Sequence, residues 1–187
     1  MKKLTQEELN TILESHEKWQ NGDGDGKIAD LSCLDLSGLD LSNSNLSFVD
    51  LHNAILRNAN LEGAKLDCAY LRGAVLDNAN LGWCDLNHAD LINASLSEAN
   101  LSHCDLSDAK LIGANFTGAN LKEASLERAN LFDSNLSYSN LGGVNFHLAY
   151  LRVVDLTGAV YQWENLKHAA YQETYSRDLP SDRLILD

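Results

Sequence analysis

Leucine recurs at every fifth position through most of this chain. From Leu31 the series runs through Leu36, Leu41 and Leu46 to Leu156, twenty-six consecutive positions, broken only by Phe116 and Phe146. Two residues before each of these the side chain is usually small, as at Ala54, Ala59, Ala64, Ala94 and Ala119. The place between is mostly Asn or Asp, as in ANL at 59–61 and ADL at 89–91. A period of five is neither the 3.6 of a helix nor the alternation of a flat strand. It turns every fifth side chain inward if each unit rotates the backbone by about a quarter-turn. Four units then form a square coil of twenty residues, and successive coils stack in parallel register. The large and the small residue of each unit both face the axis, where only a small side chain lets the walls approach.

The flanks break the period. Residues 4–20 predict a helix, with Thr5 and Glu8 as a capping box and Leu4 and Leu9 as its hydrophobic staple. Leu9, Ile12, Leu13 and His16 share one face with Trp19 nearby, and Gly22 ends the helix. Such a helix reads as a lid over the first coil. Beyond Leu156, Val160, Trp163, Leu166, Ala170 and Tyr171 have helical spacing and predict a second cap or a dimerisation element. Leu184, Ile185 and Leu186 form an apolar cluster in the tail. Larger residues enter the small position towards both ends, at Leu34, Leu39, Val49, Val144 and Val154, so the coil is expected to widen or repack there. The expected division is a helical cap and Gly/Asp loop over 1–28, a repeat array over 29–160, and a C-terminal cap or tail over 161–187.

The segment NGDGDGKIADLS, residues 21–32, has the alternating acids of a calcium loop. Position twelve of such a loop needs a bidentate carboxylate; here it is Ser32. No second helix follows, since Ala29-Asp30-Leu31 is already a repeat unit. The segment is therefore read as a hinge, with Ile28 sealing the first coil and weak calcium binding through Asp23, Asp25 and Asp30 as the alternative.

Charge narrows the function. The net formal charge is −13, which argues against a nucleic-acid-binding surface and suits solubility or a basic partner. No run approaches the roughly 20 apolar residues of a membrane helix, and the N-terminus shows no apolar signal region. A cytoplasmic protein with reduced thiols at Cys33, Cys68, Cys84 and Cys104 is expected. Cys84 and Cys104 share an inward column.

A twenty-residue coil lets the outside be read as columns. Asn60, Asn80, Asn100, Asn120 and Asn140 predict an amide ladder. His88, Asp108 and Arg128 form a second column, and Trp83, His103 and Glu123 a third; both read as surface pairs of little energetic weight. No catalytic, cofactor or metal residues are assigned. Ile92, Ile112 and Phe132, with Arg72 below and Arg152 above, form an outward apolar stripe about 10 Å long at strand spacing. A contiguous apolar set of this kind points to an interaction surface.

The A(D/N)LXX pattern resembles the pentapeptide-repeat family, and the match runs over residues 29–160 without an insertion. The resemblance implies an all-β solenoid: a right-handed quadrilateral β-helix of about 6.5 coils, capped by the N-terminal α-helix and a C-terminal helix. For function it implies a non-catalytic scaffold or protein-interaction module with an unassigned protein partner, with homodimerisation through the C-terminal segment as one option. The segment ILESHEKWQNGDGDGKIADLS also resembles a lead-in found in the family, with Ile28 where Arg is usual. The alternative function is that of the acidic members that mimic DNA and bind DNA gyrase. Residues 29–160 carry 16 acids and 7 bases, whereas a duplex of the array's length, roughly 31 Å, carries roughly 18 charges. The density is about half, and the acids are not confined to one face. Ice binding would need arrays of threonine, and Thr117 and Thr157 stand nearly alone.

Overall fold

The computed structural model describes residues 1–169. Short β1 (Lys2–Lys3) leads into α1 (Gln6–Gln20). The chain then enters the repeat array, where β2 (Leu34–Asp35) pairs in parallel with β1, and the last element among the described residues is a single-turn α2 (Trp163–Leu166). Twenty-three isolated parallel bridges, from Asp30 with Asp50 to Asn140 with Val160, each join residues twenty apart. Four five-residue units therefore complete one turn of a solenoid, and each coil lies on the one before.

The Leu and Phe series fills the axis: all twenty-six positions are buried, together with the small residues that precede most of them. Of the larger residues at the small position, Val49, Val144 and Val154 are fully buried, whereas Leu34 and Leu39 are only partly so and pack against the core.

The five amides of a unit have five separate destinations, which accounts for the motif. Taking Tyr70 to Ala74, Tyr70 donates back to Val49 O (2.9 Å), and Leu71 and Gly73 donate forward to Asp90 O (2.7 Å) and Ile92 O (3.0 Å). Ala74 donates to Leu71 O (3.0 Å), closing a tight turn. The amide left over is that of the residue after leucine, and in most units a side chain takes it. All eighteen Asn or Asp residues that precede an axial leucine or phenylalanine, from Asp30 to Asp155, accept this amide through Oδ1 at 2.9–3.3 Å. This Asx turn is why the repeat prefers Asn or Asp at a place where the periodicity alone asks only for a polar residue.

The second residue after every axial leucine or phenylalanine has positive φ, between 54° and 73° across twenty-six turns, while the residue before it does not. That is the type II arrangement, which favours Gly or Asn. Here it also holds Phe48, Trp83, Tyr138, Leu148 and the β-branched Val153, exposed or half-buried residues with no conformational preference for it.

At the N-terminal end the expected capping box forms: Glu8 N–H donates to Thr5 Oγ1, and Thr5 N–H donates to Glu8 Oε2. Leu4 and Leu9 are buried in the same core as the coils. The Gln6 carboxamide donates to Asp40 O (2.8 Å) and accepts from Asp40 N–H (2.9 Å), filling both places that a preceding coil would fill. The hinge after α1 is tighter than a flexible reversal. A Cβ at Gly26 would stand 2.1 Å from Trp19 N, so the loop lies directly on the helix backbone. Ile28 does not seal the coil; it is 46% exposed, and the neighbouring Ala29 is the buried residue.

The C-terminal flank also departs from expectation. Val160 does not enter a helix; it pairs with the coil below, accepting from Leu141 N–H (2.7 Å) and donating to Ser139 O (2.8 Å). The helix that follows spans only Trp163–Leu166. Ala170, Tyr171 and the Leu184–Leu186 cluster lie outside the described residues.

Candidate functional site

The array presents one flat face per column of units. On one of these, Ile92, Ile112 and Phe132 follow each other in successive coils, each half-buried. The Phe132 ring stacks on Tyr150 (6.4 Å between centroids, 18° between planes), which extends the apolar surface by one coil. Exposed Arg72, Lys110 and Arg152 border it. Asp90 lies 3.6 Å from Arg72 Nε and accepts the Ile92 amide. The backbone gives the stripe its rigidity: Ile92 and Ile112 carbonyls accept from Gly73 and Asn93 of the preceding coils.

The other columns are built of mutual contacts. The asparagine ladder forms as a chain of Nδ2 to Oδ1 bonds at 2.9–3.2 Å from Asn60 to Asn140. Trp83, 63% exposed, stacks on His103 (4.0 Å, 10°), and His103 Nδ1 lies 3.3 Å from Glu123 Oε2. Arg128 makes a two-pronged contact with Asp108 (2.9 and 2.6 Å), which holds the Asp108 carboxyl below its ordinary range. His88 adds only a weak electrostatic contribution there. Cys84 and Cys104 are unbridged; Cys84 Sγ donates to Leu61 O (2.8 Å), and burial pushes the Cys104 thiol well up. An open groove of about 470 Å³ lies between α1 and the first coil, lined by Asn10, Glu14, Glu17 and Asn43 among others.

Two arrangements go beyond the sequence pattern, which places His16 on the apolar face near Trp19 but gives neither its partner nor the second cluster. His16 is completely buried, accepts the Ala29 amide at Nδ1 (3.1 Å), and stacks on Trp19 (5.5 Å). Desolvation lowers its pKa, so it is held as the neutral imidazole. Cys33, exposed at a turn, lies with its Sγ 3.7 Å from His52 Nε2, while His52 Nδ1 lies 2.8 Å from Asp50 Oδ1. The signal for the second was present once the coil length was known: offsets of nineteen and two bring a corner residue against the face of the next coil.

Among the described residues no group of three or more His, Cys, Asp or Glu side chains is placed to hold a metal ion. No helix there is long and apolar enough to cross a membrane. None of the curated proteins compared matches the chain. Among solved structures it is similar to HetL, a pentapeptide repeat protein involved in heterocyst differentiation regulation in Nostoc sp. strain PCC 7120, at 32% identity over 80% of this chain and 77% of that one (TM-score 0.29). It is also similar to a pentapeptide repeat protein of the Arabidopsis thaliana thylakoid lumen, at 33% identity over 66% and 69% (TM-score 0.34). QnrB1, a plasmid-mediated fluoroquinolone resistance protein, is 20% identical over 78% of each chain (TM-score 0.36). The pentapeptide-repeat profile matches in eight copies over residues 29–58, 54–91, 89–128 and 129–160, the same stretch whose bridges step by twenty. With its leucine axis, its Asx-closed turns and that match, the chain belongs to the pentapeptide-repeat family, a family of right-handed β-helix-type solenoids.

Proposed function

We propose that this protein is a non-catalytic scaffold, an array of about 6.5 coils closed at its N-terminal end by α1, that presents Ile92, Ile112 and Phe132 to a protein partner. The observation that carries this reading is the continuity of the stripe: three apolar side chains in successive coils, continued by Tyr150. Arg72, Lys110 and Arg152 around it suit a partner whose docking surface has an apolar centre and an acidic rim. Family members of this kind generally act as scaffolds, and a rigid repeat lattice is suited to hold such a surface in fixed register.

Serine already occupies the stripe's place in many units, for instance at Ser97, Ser102 and Ser107. The triple variant Ile92→Ser, Ile112→Ser, Phe132→Ser therefore keeps the fold while removing the surface. Loss of specific protein capture in a pull-down, with thermal stability within about 1 kcal/mol of the parent, supports the stripe; unchanged capture overturns it. The alternative, a duplex mimic acting on DNA gyrase, draws on the excess of 16 acids over 7 bases in residues 29–160. A supercoiling assay separates the two, since the mimic requires inhibition by micromolar protein and the scaffold does not.

A further inference from the structure

Cys33, His52 and Asp50 form a relay on the protein surface. Cys33 occupies the left-handed position of its turn (φ 54°), which projects its side chain outward, and it is exposed. Its amide donates to His52 O (2.9 Å), so the coil lattice itself fixes the two residues against each other. His52 Nε2 stands 3.7 Å from Sγ. On the other side of the ring, Nδ1 is 2.8 Å from Asp50 Oδ1, the atom that also accepts the His52 amide at 3.0 Å. The carboxylate thus selects the tautomer with hydrogen on Nδ1 and turns the Nε2 lone pair towards the thiol. A thiol, a base and a carboxylate that orients the base are the parts of an activated nucleophile. The surface there is open, so the arrangement suits capture of a small electrophile at a modification site.

We propose that Cys33 is a reactive thiol that forms mixed disulfides with small-molecule disulfides, with His52 as its base and Asp50 as the residue that positions the base. In the step, the Cys33 proton passes to His52 Nε2 and the thiolate attacks one sulfur of the small disulfide. The S–S bond breaks, and the departing thiolate takes the proton back from the imidazolium. One small thiol leaves and Cys33 carries the other half, so the disulfide is the only oxidant consumed. The remaining cysteines cannot resolve this product into an internal bridge. Cys84 and Cys104 are buried on the axis, and Cys68, thirty-five residues on, belongs to a different corner of the coil. The capped form therefore persists until an external thiol reverses it.

Two carboxylates act on the imidazole, and the nearby cations are engaged elsewhere or lie beside other residues. Asp50 contacts it, and Asp30 of the preceding coil interacts with it electrostatically. Arg72 follows in the same column but is turned to Asp90. β1 brings Lys2 and Lys3 beside Leu34 and Asp35, where Lys2 is paired with Glu8 (2.9 Å).

The test is stopped-flow reaction of the full chain with 5,5′-dithiobis(2-nitrobenzoic acid) in a Cys68→Ser background. Cys33 is expected to give a fast phase that disappears in Cys33→Ser. A free thiol is only a few per cent ionised at neutral pH, so a base has room to accelerate it; His52→Gln is expected to slow the phase by about tenfold at pH 7. The pH profile carries what a structural role would not move. The parent is expected to lose reactivity only gradually from pH 8 to pH 6, whereas His52→Gln falls by about tenfold per unit as an isolated thiol does. Asp50→Asn is expected to move the profile towards that of His52→Gln with the fold intact by thermal melting. A fast phase that survives Cys33→Ser, or a rate and pH profile unchanged in His52→Gln, overturns the proposal.

Discussion

A middle coil and the first coil solve the same hydrogen-bonding problem by different means. In the middle, the backbone of Asn60 exchanges two bonds with the coil before it: its amide donates to Leu39 O, and its carbonyl accepts from Leu41 N–H. Asp40, one coil earlier, has no such neighbour, and the two ends of the single Gln6 carboxamide replace it. Likewise the Ala29 amide ends on His16 Nδ1, and Leu4 N–H reaches Asp35 O. The middle is redundant, since each contact recurs at the next coil; the end depends on residues that occur once. In a repeat array the coupling between neighbouring units spreads the effect of a small local defect, whereas an end has a neighbour on one side only.

The comparison breaks most sharply if the interior tolerates bulk. Ala94 is 1% exposed and faces the axis, while Ser97 faces outward. Ala94→Trp is expected to cost more than about 4 kcal/mol, because a tight interior cannot absorb the added volume, and Ser97→Trp less than about 1 kcal/mol. Chemical denaturation of both variants checks this, and equal midpoints would refute the inward assignment.

Gly26→Val tests the end in the same way. Its Cβ would meet the Trp19 backbone, so about 3 kcal/mol is expected to be lost from the docking of α1. The loss should appear as a separate early transition in Trp19 fluorescence, with the coils unfolding later.

The third effect is smaller and depends on acid. Burial lowers the His16 pKa, so below the ordinary value of about 6.5 the unfolded imidazole binds a proton that the folded one does not. Stability is accordingly full above that pH and is lost as the pH falls towards the depressed folded value, by at most about 1.4 kcal/mol per unit. Protonation would also replace the acceptor for Ala29 N–H with a donor. Protection of the Ala29 amide, with the exchange rate corrected for its intrinsic pH dependence, should fall below pH 6.5 in the parent, and His16→Gln should lack that acid-dependent loss.

The smallest effect concerns the turns. Val153 holds φ at 61°, a conformation that β-branched residues disfavour. Val153→Asn is expected to raise stability by about 1 kcal/mol and Asn93→Val to lower it by a similar amount. Melting temperatures that move together would show that turn conformation does not set the preference.

The axis, the outward columns and the capping box were legible in the sequence because each repeats or follows a local rule. The asparagine ladder was legible for the same reason, through its twenty-residue spacing. What the Asn or Asp of each unit does was not, since the acceptor serves a backbone amide that every residue carries and that leaves no mark on composition. The left-handed turns were equally hidden: Gly and Asn hint at them, but Trp83, Arg128 and Leu148 occupy them too. His16 appeared on the apolar face of a helix, and its link to Ala29 could not be read because its partner is again backbone. The Cys33 cluster crosses from one coil to the next, so Cys33 looks unrelated to the neighbouring Asp50 and His52 until the coil length of twenty is applied. At the C-terminal side the apolar spacing suggested a helix from Val160 onward, but pairing with the preceding coil holds Val160 in the lattice.

The way each unit closes on itself has a consequence for how such a chain can change length. Because an Asn or Asp settles its own turn, a block of five residues can be gained or lost without leaving a neighbour's amide unserved. A change of twenty would leave every column on its original side and only alter the distance between the surfaces above and below it. A change of five would instead rotate everything beyond it by one face, carrying Phe132 away from Ile92 while the lattice stayed whole. Insertions thus act on this molecule as a dial for surfaces, with length and orientation set by the same count of codons.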